Sequence, residues 1–170
     1  MFRMRKATAA DTAAVADMIR ARCSWLEHRG LPSLREDADD LAGQARHGFM
    51  WLLCTDPGNS AEPEDVVGCT TVLDRPATEG WAEAERAGDD ALHLFSTVTH
   101  PEYRGLRPGA VISRWAARQA AHQGRAWLRL SCVGPELARH YRDQGFTTVR
   151  EFATGDDTLF LLECRTGFAP

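Results

Sequence analysis

Lysine is nearly missing from this 170-residue chain: of 20 basic residues, 19 are arginine and one is Lys6. The formal net charge is −4, so no basic face is announced and nucleic acid is a poor partner. Long apolar runs are missing too. The longest is Phe49 to Cys54, far short of the roughly 20 residues that span a bilayer, so no membrane partner is expected. The first residues, MFRMRKATAADT, lack the apolar stretch of a secretory signal, and a cytoplasmic protein is expected. The five cysteines are odd in number, widely spaced and without a C-x-x-C. That argues against a disulfide framework or a zinc site and for free buried thiols, with no metal expected. Repeats and separable linkers are lacking, so one domain over residues 1–170 is expected. The 44% hydrophobic and 26% charged residues are ordinary for a soluble globular protein.

Periodicity supplies the elements that are present. Phe2 to Thr8 reads as a strand. Thr8 and Asp11 fit a capping box, followed by Val15, Met18, Ile19, Arg22, Cys23 and Leu26 at helical spacing and a stop at Gly30 and Pro32. Ser33 and Glu36 fit a second box, opening a short helix with Leu34, Ala38, Leu41 and Ala45 on one face. The runs 49–55, 66–73, 91–100, 126–132, 146–152 and 158–164 read as strands. Residues 74–90 form a long polar connection, and a loop of that length is usually functional or mobile. Gly109 to Gln123 is the clearest helix, with Gly124 at its C′ position, and Pro135 suits the first turn of another. The order β-α-α-β-β-β-α-β-α-β-β predicts a mixed α/β fold.

Residues 100–110, HPEYRGLRPGA, lie between a strand and a helix start. Unpaired N–H groups at the positive end of a helix dipole attract anions. Gly105 and Gly109 admit a close backbone approach, while Arg104 and Arg107 add charge. An ordinary glycine turn with solvated arginines explains the same residues equally well. A second segment follows after an intervening strand, with Leu137, Tyr141, Gly145 and Phe146.

Together the two segments resemble the GNAT superfamily of N-acetyltransferases, whose motif V-x-P-x-x-[RQ]-x-x-G-x-[GA] is met by Pro101, Arg104 and Gly109. Tyr141, Gly145 and Phe146 match the later N-x-x-A-x-x-x-Y-x-x-x-G-F, and Ser24 to Gly30 is similar to a W-L-x-x-R-G run in some bacterial members. The chain also departs from these motifs. Arg107 stands where the central glycine is expected, Pro108 has no N–H to offer, Thr99 replaces Val, and Gly134 replaces Asn.

The resemblance implies a single-domain α/β fold with a mixed, mostly antiparallel central sheet flanked by helices. It implies acetyl-CoA as co-substrate, the primary amine of a small molecule or peptide as acceptor, and direct attack without an acyl-enzyme. It places the diphosphate at Arg104, Gly105, Leu106, Arg107, Gly109 and Ala110, and the pantetheine along Thr97, Val98 and Thr99. Tyr141 matches the tyrosine that hydrogen-bonds or protonates the CoA sulfur; packing of its ring beside Leu137 is the alternative. His93 lies where some members carry an acidic base, and its alternative is a satisfied half-buried histidine. Arg129 falls where other members carry Glu. Glu27, His28 and Glu102 are weaker candidates for the base. Cys23 to Leu34 and Asp74 to Asp90 are expected on the acceptor side, with Trp25, Trp81 and Asp74 as contacts, and the acidic balance favours a small cationic acceptor. Homodimers are common in the family. The rival reading is a catalytically silent acyl-CoA-binding or regulatory module, which the departures at Arg107, Pro108 and Gly134 keep open.

Overall fold

A computed structural model describes residues 1–58, 63–76, 80–83 and 90–167. Seven strands form one sheet: β1 (Phe2–Lys6), β2 (Met50–Thr55), β3 (Val66–Leu73), β4 (Ala91–Thr99), β5 (Trp127–Val133), β6 (Thr147–Thr154) and β7 (Asp157–Arg165), in the order β1-β2-β3-β4-β5-β7-β6. The ladders β1–β2, β2–β3, β5–β7 and β6–β7 are antiparallel and β4–β5 is parallel. The helices are α1 (Thr12–Glu27), α2 (Ala38–Gly43), α3 (Gly80–Glu83), α4 (Pro108–His122) and α5 (Pro135–Arg142). The expected mixed, mostly antiparallel α/β sheet is what forms.

The chain divides into two compact units, the first made of Met1–Thr71 with Ser96–Ile112 and the second of Val72–Phe95 with Ser113–Pro170. In the first, the apolar stripe of α1 delivers Val15, Met18, Ile19 and Cys23 to a core shared with Leu41, Ala42, Met50, Leu52, Cys69 and Val98. Each fully buried aliphatic chain contributes about 1.5–3 kcal/mol. The opposite face of β2 buries Leu53 with Val67 and Ile112, so β2 is apolar on both sides and reads as a continuous run. Gly68 on β3 is required by space: a Cβ there would stand 3.0 Å from the carbonyl oxygen of Val98 and 3.1 Å from Cδ1 of Ile112. Asp11 anchors the entry to α1. Arg5 and the Thr8 N–H both bond its carboxylate and hold its pKa down at about 2.

The second unit packs Leu92 and Leu94 of β4, Ala116 and Ala120 of α4, Leu128 and Leu130 of β5, and Leu162 of β7 into one cluster. The helix α5 opens at Gly134 with φ 94° and ψ 140°, a region open essentially to glycine alone. Glycine at this position suits that backbone.

Two local expectations change. The second capping box does not open a helix, because Ser33 Oγ donates instead to Glu27 Oε1 at 2.6 Å. The α2 helix starts five residues later and leaves Leu34 52% exposed rather than on a buried face. Within the polar connection, Gly80–Glu83 form a helical turn that buries Trp81, while residues 77–79 and 84–89 lie outside the described residues. All five cysteines are free thiols. Burial pushes Cys69 up to about 12 and Cys54, Cys132 and Cys164 up to about 11, so these four stay protonated at neutral pH.

Candidate functional site

The predicted cofactor segment lies in the first unit. Near the end of β4, Ser96 takes φ 50°, a left-handed conformation inside a strand, and is exposed. The parallel ladder with β5 covers four pairs, Ala91↔Trp127 to Leu94↔Leu130, and stops two residues before it. Beyond Ser96, Thr97 Oγ1 hydrogen-bonds Thr70 Oγ1 at 2.8 Å, Val98 is buried, and Thr99 is half-buried. Residues Pro101–Leu106 then wind into a 3-10 turn that His100 caps, its Nδ1 accepting from the Glu102 N–H at 3.3 Å. Pro101 at its first position and the histidine cap make this stretch between strand and helix helical in its own right.

Arg107 follows with φ 51° and ψ 53°. This is the left-handed conformation that favours the glycine of the motif, held here by an arginine. Its carbonyl accepts the N–H of Ala110 at 3.0 Å and of Val111 at 3.3 Å, so Arg107 sits at the start of α4. Pro108 fits the first helical position, where an N–H lacks an intrahelical partner anyway. Gly109 is the next residue, and Ala110 is buried. No heavy atom lies within 4 Å of where a Gly105 Cβ would stand. Arg104, Gly105, Leu106 and Arg107 are all exposed, with one Arg104 nitrogen turned back onto the Pro101 carbonyl at 3.2 Å. An open, cationic, backbone-accessible turn at a helix start suits a diphosphate.

The second unit holds the two candidates for catalysis, His93 and Tyr141. His93 on β4 is 3% exposed and lies opposite Arg129 on β5, which lies opposite Glu163 on β7. Arg129, 1% exposed, donates from Nε to Glu163 Oε2 at 3.0 Å, and its guanidinium lies 4.8 Å from the centre of the Trp81 ring. The Trp81 indole meets His93 edge-on at 5.9 Å, and Phe95 stacks on the imidazole at 6.2 Å. His93 Nδ1 has no hydrogen-bond partner among the described residues. Burial, then the Arg129 charge, lower the His93 pKa to about 4. The imidazole is therefore neutral at pH 7 and offers a lone pair, and a titration near 6.5, expected from an ordinary histidine, moves down.

Glu163 was not singled out in the sequence. Its signal is a lone carboxylate in the apolar run LFLLEC. It also changes the meaning of Arg129, which is a buried cation with its own counter-ion. Trp81 packs here rather than standing in an open loop.

Tyr141, on α5, is half-buried beside Ala138 and Phe146, its ring 5.6 Å from Phe146 at 69°. Leu137, the alternative packing partner, is 45% exposed. The other tyrosine, Tyr103, donates its hydroxyl to Asp65 at 2.8 Å. Among the weaker candidates for the base, Glu27 is bound by Arg35 and Ser33, which lower it to about 2, and His28 Nδ1 meets the Ser24 carbonyl at 2.7 Å. Trp25 is flanked by the guanidinium of Arg29 at 3.9 Å and of Arg22 at 4.6 Å. Among the described residues no His, Cys, Asp and Glu cluster could hold a metal, and no helix is long and apolar enough to cross a membrane.

Solved structures share this architecture over nearly the full chain. A GNAT-family acetyltransferase from Listeria monocytogenes is similar with a TM-score of 0.72 and 16% identity, over 96% of this chain and 94% of that one. The paia N-acetyltransferase of Thermoplasma acidophilum, in complex with coenzyme A, gives 0.64 and 15% over 97% and 99%. The ribosomal-protein-S18-alanine N-acetyltransferase of Escherichia coli gives 0.63 and 15% over 100% and 97%. No family model and no curated protein matches the sequence. The chain has the fold of the GNAT acetyltransferases.

Proposed function

We propose that this fold serves here as an acetyl-CoA-dependent N-acetyltransferase, a single cytoplasmic domain that acetylates the primary amine of a small molecule or peptide. The observation that carries the reading is the junction from β4 to α4. A left-handed residue interrupts the strand at Ser96, and an open turn with two exposed arginines feeds a helix start. In this reading Gly105 to Ala110, with Arg104, hold the diphosphate, and the backbone of Thr97 to Thr99 aligns the pantetheine as an added strand would. Acetyl-CoA brings the activated thioester. Tyr141 presents a phenol that donates to the departing sulfur. His93, neutral above about pH 4, offers a lone pair that orients the amine directly or through water, and the proton passes on to solvent because burial beside Arg129 keeps the imidazole from holding it.

Two variants test this with calorimetry and a thiol-release assay over a panel of amines. Gly109→Trp places an indole where the backbone must meet the diphosphate and abolishes acetyl-CoA binding; unaltered affinity places the nucleotide elsewhere. Tyr141→Phe lowers kcat by about 10²–10⁴-fold while leaving acetyl-CoA affinity nearly unchanged, because the hydroxyl acts in the transition state. An unchanged kcat, where chemistry limits the rate, removes Tyr141 from the reaction. Arg107 and Pro108 favour a second reading, a catalytically silent acyl-CoA-binding module. It predicts calorimetric binding with no thiol released from any amine.

A further inference from the structure

Among the described residues, four of the nine arginines of the first unit meet a carboxylate. Arg3 and Arg5 bind Glu64, Arg5 also binds Asp11, Arg20 binds Asp17 and Asp39, and Arg35 binds Glu27. Two arginines at the end of α1 do not. Arg22 falls on the stripe of α1 that carries Val15, Met18 and Ile19, where burial selects apolar residues, and it is half-buried. Among the described residues its guanidinium has no hydrogen-bond or ion-pair partner. Arg29 bonds only the Trp25 carbonyl there, at 3.4 Å. Both guanidiniums instead lie against the Trp25 ring, at 4.6 and 3.9 Å from its centre. The neighbouring acid, Glu27, is taken by Arg35 and Ser33.

This arrangement is costly unless something completes it. Two cations share one indole with no counter-ion among the described residues, and one of them is partly desolvated, which together with the Arg29 charge depresses the Arg22 pKa. Contact with an aromatic ring holds a guanidinium in place without using its in-plane N–H donors, which suit a carboxylate bidentately.

We propose that Arg22, Trp25 and Arg29 form a carboxylate-binding site, and that the carboxylate belongs to the acceptor amine, so that the acetylated substrate is an amino acid or a closely similar zwitterion. The inference rests on the acetyl-transfer reading above. There the phosphates of acetyl-CoA are assigned to residues 104–110, and the acceptor is the remaining ligand able to bring an anion. A bare cationic amine, the acceptor suggested by the overall charge, is repelled here.

Arg22→Gln and Arg29→Gln are to be compared with the parent on an amino acid and on its carboxamide. KM for the acid rises at least tenfold in each variant, KM for the amide stays within twofold, and the calorimetric Kd for acetyl-CoA is unchanged. Equal changes for acid and amide, or none, overturn the proposal. A weakened acetyl-CoA Kd overturns it as well, by giving the anion to the cofactor. If neither amine is acetylated, the acetyl-transfer reading fails for them, and the site is judged separately by titrating N-acetylglycine, a carboxylate without an amine. The Nε–H NMR signals of Arg22 and Arg29 then shift saturably; signals that do not move overturn the carboxylate site itself.

Discussion

Residues 100–110 and the row His93, Arg129 and Glu163 are built in opposite ways. The first comes from one continuous stretch, lies open, and leaves charge at the surface. The second gathers three strands far apart in sequence, is buried, and sets its cation against a carboxylate of the same row in a 3.0 Å ion pair. An open loop obtains binding capacity from groups that water satisfies until a ligand arrives. A buried row has no such reserve, so every polar atom in it must be matched internally or wait for a ligand. His93 Nδ1 is the atom left waiting among the described residues.

The contrast is most sharply tested at Glu163. Glu163→Ala takes one carboxylate partner from the Arg129 cation buried beside Trp81, and the chain loses about 3–5 kcal/mol in denaturant unfolding. The double variant Arg129→Met with Glu163→Leu recovers most of that loss. A single variant as stable as the parent means the pair is not closed. A smaller effect is read from pH. An unfolded histidine binds its proton near 6.5 and folded His93 near 4, so between those values the unfolded chain holds more protons. The His93 contribution to stability is therefore full above about pH 6.5 and declines on acidification towards pH 4. Tm of His93→Leu falls less than that of the parent across this window, and parallel curves contradict the burial argument. If His93 acts in the reaction as proposed, the acid limb of kcat/KM lies near pH 4 rather than 6.5, and a limb that persists in His93→Leu removes it from the reaction.

The smallest effect belongs to the open region. Arg107→Gly removes an L side chain from a left-handed position and gains about 0.5–1 kcal/mol of stability, the relief exceeding the entropy that glycine adds to the unfolded chain. The same variant weakens acetyl-CoA binding if the guanidinium meets phosphate, and an unchanged Kd assigns that side chain to solvent.

The two regions also differ in how far the sequence exposes them. The Gly-Arg turn is legible because its residues are neighbours and glycine and proline mark its backbone. Strand positions were legible for a similar reason: Val66–Leu73 begins and ends where its β-branched run does. The row was hidden. Pairing His93 with Arg129 and Arg129 with Glu163 depends on the register of a parallel and an antiparallel ladder, which no local pattern encodes. The second capping box misled because capping is a competition. Ser33 found a better acceptor in Glu27, a residue of the preceding helix. Trp81 was legible as an aromatic in a polar stretch, but not as the ring over Arg129.

Gly68 has no side chain, yet it works as a shim. The Val98 carbonyl, only 3.0 Å from where a methyl group would stand, belongs to a strand backbone that cannot swing aside like a side chain. Widening β3 by one carbon at this point would move the segment Thr97–Thr99 by a few tenths of an ångström. A position that touches no substrate thus meters the alignment of those that would, and tolerance at this glycine is a gauge of how finely that alignment is set.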